Sequence, residues 1–181
     1  TNINIINHEE QRLRIKTLKN KFDDLSLIEK FFSKSIVTFL SWNLLYNFIL
    51  LDSVFDLVLI KHAIKYASMV LDIFNFKTVV FLNEISIVGE KGVLINSGCN
   101  ILKVFGIYIS FIFGYPNLFA KKAIYSLIGF ALLFLMNVLR ISIFAFVTAY
   151  IPEFWQIIHK YSTFIIFYPI IIEVRNFSIY Y

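Results

Sequence analysis

The chain has 181 residues, of which 59% are hydrophobic and 16% charged, against about 25% charged in typical soluble domains. A soluble fold of this length has no room to hide that much apolar surface, whereas a bilayer does, so a water-soluble enzyme or carrier is excluded. The net charge of +5 does not mark a nucleic-acid partner: seven of the seventeen basic residues fall in the first 35 positions, mixed with acids.

Residues 1–34 are polar, with helix-favouring stretches such as Gln11–Lys21, and are expected to form a cytoplasmic tail ahead of a membrane domain over residues 35–181. Ser35–Leu51, with Phe31 and Phe32 in front, is the first apolar run and is just long enough to span a bilayer, which takes about 20 residues. No cleavage pattern of small residues follows it, so it reads as an uncleaved signal anchor. Asp52–Phe74 is apolar overall, but Asp52, Asp56, Lys61, His62, Lys65 and Asp72 recur at roughly helical spacing. That polar stripe predicts a helix lying on the membrane surface or packed against the bundle, and a second true span here would bury several charges.

The period then changes. Val79–Leu82 and Ile85–Val88 are β-type runs, and Gly89-Glu90-Lys91-Gly92 is a turn signal before Val93–Ile95, so a β-hairpin outside the membrane is expected. Three more apolar spans follow, at Cys99–Tyr115, Ala123–Tyr150 and Phe154–Val174, separated by Gly114–Asn117 and by Pro152. The predicted fold is an all-α membrane protein. It has a bundle of about four transmembrane helices, an interfacial amphipathic helix and a small extracytoplasmic β-hairpin. Basic residues before the first span, Lys121 and Lys122 between the second and third, and Arg175 after the fourth lie on one side of this topology. That side is expected to be the cytoplasm.

On this topology three helices bring chemistry-bearing residues to similar depth near the outer face. Cys99 is the only cysteine, which excludes an intramolecular disulfide, and the three scattered His exclude an ordinary zinc site. Cys99 follows Asn96-Ser97-Gly98, which reads as a helix N-cap. A thiol in the first turn of a helix ionises more readily; a small buried apolar cysteine is the plainer alternative. Arg140 lies past the middle of its span, where a charge costs about 2.5–3.5 kcal/mol on insertion scales. It marks either a polar cavity or a structural arginine that snorkels or pairs with an acid such as Glu153. Asn137 lies three residues earlier on the same face. His159 sits just inside the last span and suits proton transfer near neutrality; its plainer alternative is an interfacial histidine. His8 and His62 lie at other depths. A thiolate, a cationic oxyanion partner and an imidazole form a working set for acyl transfer.

Gly98-Cys99-Asn100, then Asn137-Val138-Leu139-Arg140, then His159 resemble the exosortase/archaeosortase family in order, spacing and topology. The resemblance covers about residues 30–175. It implies a membrane-embedded cysteine protease/transpeptidase of the inner membrane, multi-pass, with its active site facing the periplasm and no metal or other cofactor. Exported proteins with a C-terminal sorting signal are the implied substrates, and a glycan or lipid-linked group is the implied acceptor. Cys99 is then the nucleophile, Arg140 the oxyanion or substrate-carboxylate partner and His159 the acid/base; Asn137 and Asn100 bind or orient substrate. The family usually has Gly two residues after the Cys, where this chain has Ile101. Two other functions fit the composition: a non-catalytic membrane assembly factor for surface protein or polysaccharide export, and a small transporter or channel subunit in which Arg140 lines an anion path.

Overall fold

The computed structural model describes residues 26–97, 101–116 and 118–180. Helix α1, Leu27–Leu45, opens on a capping box in which Ser26 Oγ accepts from the Glu29 N–H and the Glu29 carboxylate accepts from the Ser26 N–H, satisfying donors that a helix start otherwise leaves open. The helix already begins at Leu27, ahead of the apolar run that starts at Ser35. Its last turn widens into a π-helical segment, Tyr46–Leu50. Asp52 follows with a left-handed φ of 54°, and Ser53 caps helix α2, Val54–Ile73. The chain bends by 90° at this corner.

Helix α2 packs against the long helix α4, Phe119–Tyr150, one of the placements the sequence left open for it. Ala63, Ile64, Ala67 and Leu71 form its buried face, while Lys61, His62, Lys65 and Asp72 are exposed. Asp56 does not belong to that polar stripe. It is fully buried at the start of α2, where its N–H donates to Ser53 Oγ and its Oδ2 accepts from the Asp52 N–H. Helical spacing alone assigned it to the wet face; its capping work at the bend places it inside.

The predicted hairpin is a three-stranded antiparallel sheet in the order β1 (Thr78–Phe81), β2 (Glu84–Ile87), β3 (Val93–Leu94). Phe81 pairs with Glu84, so Leu82 and Asn83 form a two-residue turn, with Leu82 left-handed at φ 52°. The expected Gly89–Gly92 turn makes the second hairpin, with Gly89 at φ 87°. Ile85, Ile87, Val93 and Ile95 are buried, and β2 and β3 both contact α4. A hydroxyl contact of 2.6 Å between Ser68 and Thr78 ties α2 to β1.

Helix α3, Leu102–Gly114, is short and apolar and packs along α1 through absent side chains. A Cβ on Gly106 would lie 2.0 Å from the Trp42 ring, and one on Gly114 would lie 2.2 Å from Ser35 Oγ. The same device joins α3 to α4, where the Tyr108 ring fills the notch at Gly129 and its hydroxyl donates to the Tyr125 carbonyl at 2.7 Å. Small residues let apolar helices approach closely, which is how helices associate where no hydrophobic drive separates them from lipid. After a break at Pro152–Phe154, helix α5, Trp155–Tyr180, returns along α4.

The described residues are thus mostly helical, with one small sheet. The four spans drawn from sequence are not all unbroken crossing helices. Among the described residues α4 is the one helix long and apolar enough to cross a membrane, with a mean hydropathy of 2.2 over its most apolar stretch. The α1 segment and α2 meet that test only as a bent pair, and α3, at 13 residues, is shorter than a crossing requires.

Gly129→Ala is expected to lower stability by about 1–3 kcal/mol through overpacking against Tyr108. The denaturation midpoint of the detergent-solubilised protein checks this, and an unchanged midpoint would show that the notch tolerates a methyl group.

Candidate functional site

Arg140 is 4% exposed, on the face of α4 that meets α5. Its Nη1 donates to Thr163 Oγ1 at 3.3 Å. Its guanidinium carbon lies 5.5 Å from the centre of the Phe144 ring and 5.1 Å from that of Phe167. Local spacing explains the arrangement: Phe144 is one turn after Arg140 on α4, and Thr163 and Phe167 are successive turns of one α5 face. Phe144 belongs to an apolar cluster built from α2, the sheet and the C-terminal half of α4. Phe167 belongs to a second cluster built mainly from α3 and α4. The guanidinium therefore sits at the seam of the two clusters, with one ring from each against it.

His159 lies one turn before Thr163 on the same α5 face and is exposed at its edge. Its ring is 5.4 Å from the Phe144 ring and 5.4 Å from the Trp155 ring. Arg140 and His159 thus share Phe144 as a neighbour. The structure brings this predicted pair onto one helix–helix interface, the guanidinium inside and the imidazole at its edge.

Asn137 is 3% exposed, and among the described residues its Oδ1 has no hydrogen-bond partner. A buried carbonyl left so costs about 1–3 kcal/mol, which marks Asn137 as a position with an unused acceptor one turn from Arg140. Cys99 and Asn100 lie outside the described residues, and so does His8. The nearest described neighbours of Cys99 in the chain are held firmly. Ile101 is fully buried in the cluster that contains Phe167, so the position where the resembled family has Gly carries a core side chain here. Glu153 and His62 are exposed, and the His62 Nδ1 lies 2.8 Å from its own helix carbonyl at Val58. Among the described residues no three His, Cys, Asp or Glu side chains lie close enough to hold a metal ion.

Sequence reading missed Phe144, Thr163 and Phe167 as partners of Arg140. The i, i+4, i+8 series His159, Thr163, Phe167 was the available signal, since it lines up a base, a hydroxyl and a ring on one face. No family model matches the chain, and no curated protein or solved structure is significantly similar to it.

Thr163→Val removes the hydroxyl facing the buried guanidinium without much change in volume. It should cost about 1.5–3 kcal/mol, as expected for a hydrogen bond to a charged group. Thr163→Ser should stay close to the parent protein, and equal midpoints for the Val and Ser variants in chemical denaturation would remove this role.

Proposed function

We propose that the chain is a multi-pass membrane cysteine peptidase or transpeptidase, resembling the exosortase/archaeosortase family. Its substrates would be exported proteins bearing a C-terminal sorting signal. The single observation that carries the reading is the Arg140–His159 pairing. An arginine buried in an apolar, membrane-length helix shares an aromatic neighbour with a histidine on the next helix. Retaining a charge there is costly, and such residues are functional by default.

In this reading the Cys99 thiolate attacks the scissile carbonyl carbon, and the oxygen takes up the negative charge of the tetrahedral intermediate. The Arg140 guanidinium lies on the seam to stabilise that oxyanion, the kind of interaction that dominates acyl-transfer catalysis. His159, as imidazolium, protonates the leaving amine, the C–N bond breaks, and the exported protein remains as a thioester on Cys99. An acceptor nucleophile, a glycan or lipid-linked group, then attacks the thioester and gives its proton to the neutral imidazole, releasing the thiolate. The Asn137 carbonyl supplies an acceptor for a substrate N–H beside the arginine. The site faces the periplasm of the inner membrane on the topology set by the basic residues.

A second reading, a non-catalytic assembly factor for surface protein or polysaccharide export, is favoured by Ile101. Ile101 is a buried side chain where the resembled family has Gly, a residue that allows close backbone approach.

Co-expression with an exported protein ending in a short motif, an apolar span and a basic tail separates the two. Cys99→Ala should insert normally and abolish processing, and Arg140→Gln should slow it by about 100-fold or more. Full processing by Cys99→Ala, read as the mass of the exported protein, overturns the peptidase reading.

A further inference from the structure

Helix α2 runs across the bundle rather than along it. Helix α1 packs along α3, and the chain turns by 90° at the corner before α2 begins. α2 then meets α4 where the Ser142 hydroxyl donates to the Ala67 carbonyl at 3.3 Å. From Phe119 to Ser142 the α4 helix rises by about 35 Å, and the hydrocarbon core of a bilayer is about 30 Å thick. With Lys121 and Lys122 at the cytoplasmic start of α4, the crossing falls at the opposite membrane surface.

The surface of α2 is divided lengthwise. Ala63, Ile64, Ala67 and Leu71 are buried in the cluster shared with α4 and the sheet. On one flank stand Lys61, Lys65 and Asp72, all exposed, with Ser68 between them touching Thr78 of β1. On the other flank stand Tyr66, Met69 and Ile73, also exposed, with His62 one turn ahead of them. Spacings of three and four residues keep each set on its own flank. The Tyr66 ring reaches the Phe134 ring, 6.1 Å from centre to centre, and Phe134 lies about 12 Å nearer the cytoplasmic end of α4 than Ser142 does. The apolar flank is therefore turned into the bilayer and the lysine flank away from it, the arrangement of a helix resting in a membrane surface. Under the apolar flank is a hollow of about 440 Å³ between Tyr66, Met69 and Ile73 on α2 and Phe134, Leu135 and Leu139 on α4. Neither Arg140 nor His159 lines it.

We propose that this hollow takes an acyl chain of an anionic phospholipid from the outer leaflet, with the phosphate held beside Lys61 and Lys65. The lining is apolar, which suits a tail. Lys65 precedes Tyr66 and lies one turn before Met69, both of which line the hollow, and Lys61 stands one turn earlier again. Asp72 follows two turns after Lys65, so the positive charge is concentrated at the Lys61–Lys65 end. A lysine stem extends along apolar surface and keeps its ammonium at the headgroup level, where it attracts anionic lipid. A purely apolar helix of another protein would fill the hollow but leave both lysines unused. The proposal rests on α4 crossing the membrane and not on catalysis.

Fluorescence of the full-length protein in vesicles of phosphatidylcholine and phosphatidylglycerol tests this. Tyr66→Trp puts a fluorophore in the wall of the hollow. The two native tryptophans, Trp42 and Trp155, do not line it, so the parent protein supplies the background. The probe is a lipid with brominated tails, which quenches a tryptophan it touches. Either the phosphatidylglycerol or the phosphatidylcholine carries the bromine, at equal mole fraction. Brominated phosphatidylglycerol should be preferred by about fivefold or more. Lys61→Gln combined with Lys65→Gln should abolish that preference and leave quenching by phosphatidylcholine in place, whereas Arg at both positions should retain it. Both lysines are exposed, so neither exchange touches the core. Ile73→Trp, at the other end of the same wall, gives the reading independently of the Tyr66 ring contact. Equal quenching by the two lipids overturns the proposal, as does a preference that survives the Gln exchanges. Quenching by neither lipid would mean that a polypeptide segment covers the hollow, which overturns it too.

Discussion

The structure depends on how one guanidinium is accommodated where apolar clusters meet. Burying Arg140 in an apolar helix costs about 2.5–3.5 kcal/mol on insertion scales. Two aromatic faces at 5.5 and 5.1 Å return about 0.5–2 kcal/mol each in a desolvated setting. The hydrogen bond to Thr163 adds a contribution of similar size. The terms are comparable, so Thr163 and Phe167 on α5 contribute to making the arginine tolerable in α4. The charge thereby becomes a constraint on how these two helices dock, and the docking carries His159 to the rim of the same interface.

The remaining helices assemble by subtraction. Gly106, Gly114 and Gly129 each leave a hollow that an aromatic or hydroxyl group from a neighbouring helix fills. Close approach of this kind gains dispersion contacts rather than hydrophobic transfer energy, the currency available among helices whose outer faces are as apolar as lipid. It also accounts for α3, which is too short to be a conventional crossing yet is buried along most of its length. Its stability comes from α1 and α4 on either side. Beyond the bend, α2 packs on α4 together with the sheet, while α1 stays on α3.

Much of the element order was legible. Apolar runs bounded by Pro152 and by the Gly114–Asn117 segment mark helices within a few residues of their ends, and Gly89–Gly92 marks a turn that is present. The α1–α2 corner was not legible as such. A π turn and a left-handed Asp52 stand at the bend, and no local pattern of apolar and polar residues encodes them. The burial of Asp56 was hidden for a related reason: helical spacing counts a carboxylate as wet, whereas a capping role lets it be satisfied by backbone inside the fold. The Leu82–Asn83 turn was equally hidden, because Leu is a poor turn residue on propensity and only strand pairing imposes its left-handed φ.

The amino-acid sequence by itself determined that this is a largely helical, strongly apolar chain. It also singled out Arg140, because a charge in an apolar run is anomalous whatever surrounds it. The pairing of Arg140 with Thr163, Phe144 and Phe167, and the approach of His159 to the same ring, were decided only by the tertiary structure. A sequence displays the period of each helix but not the rotation of one helix against another. That rotation is set by which hollows accept which side chains, and it is what turns an isolated charge into a site.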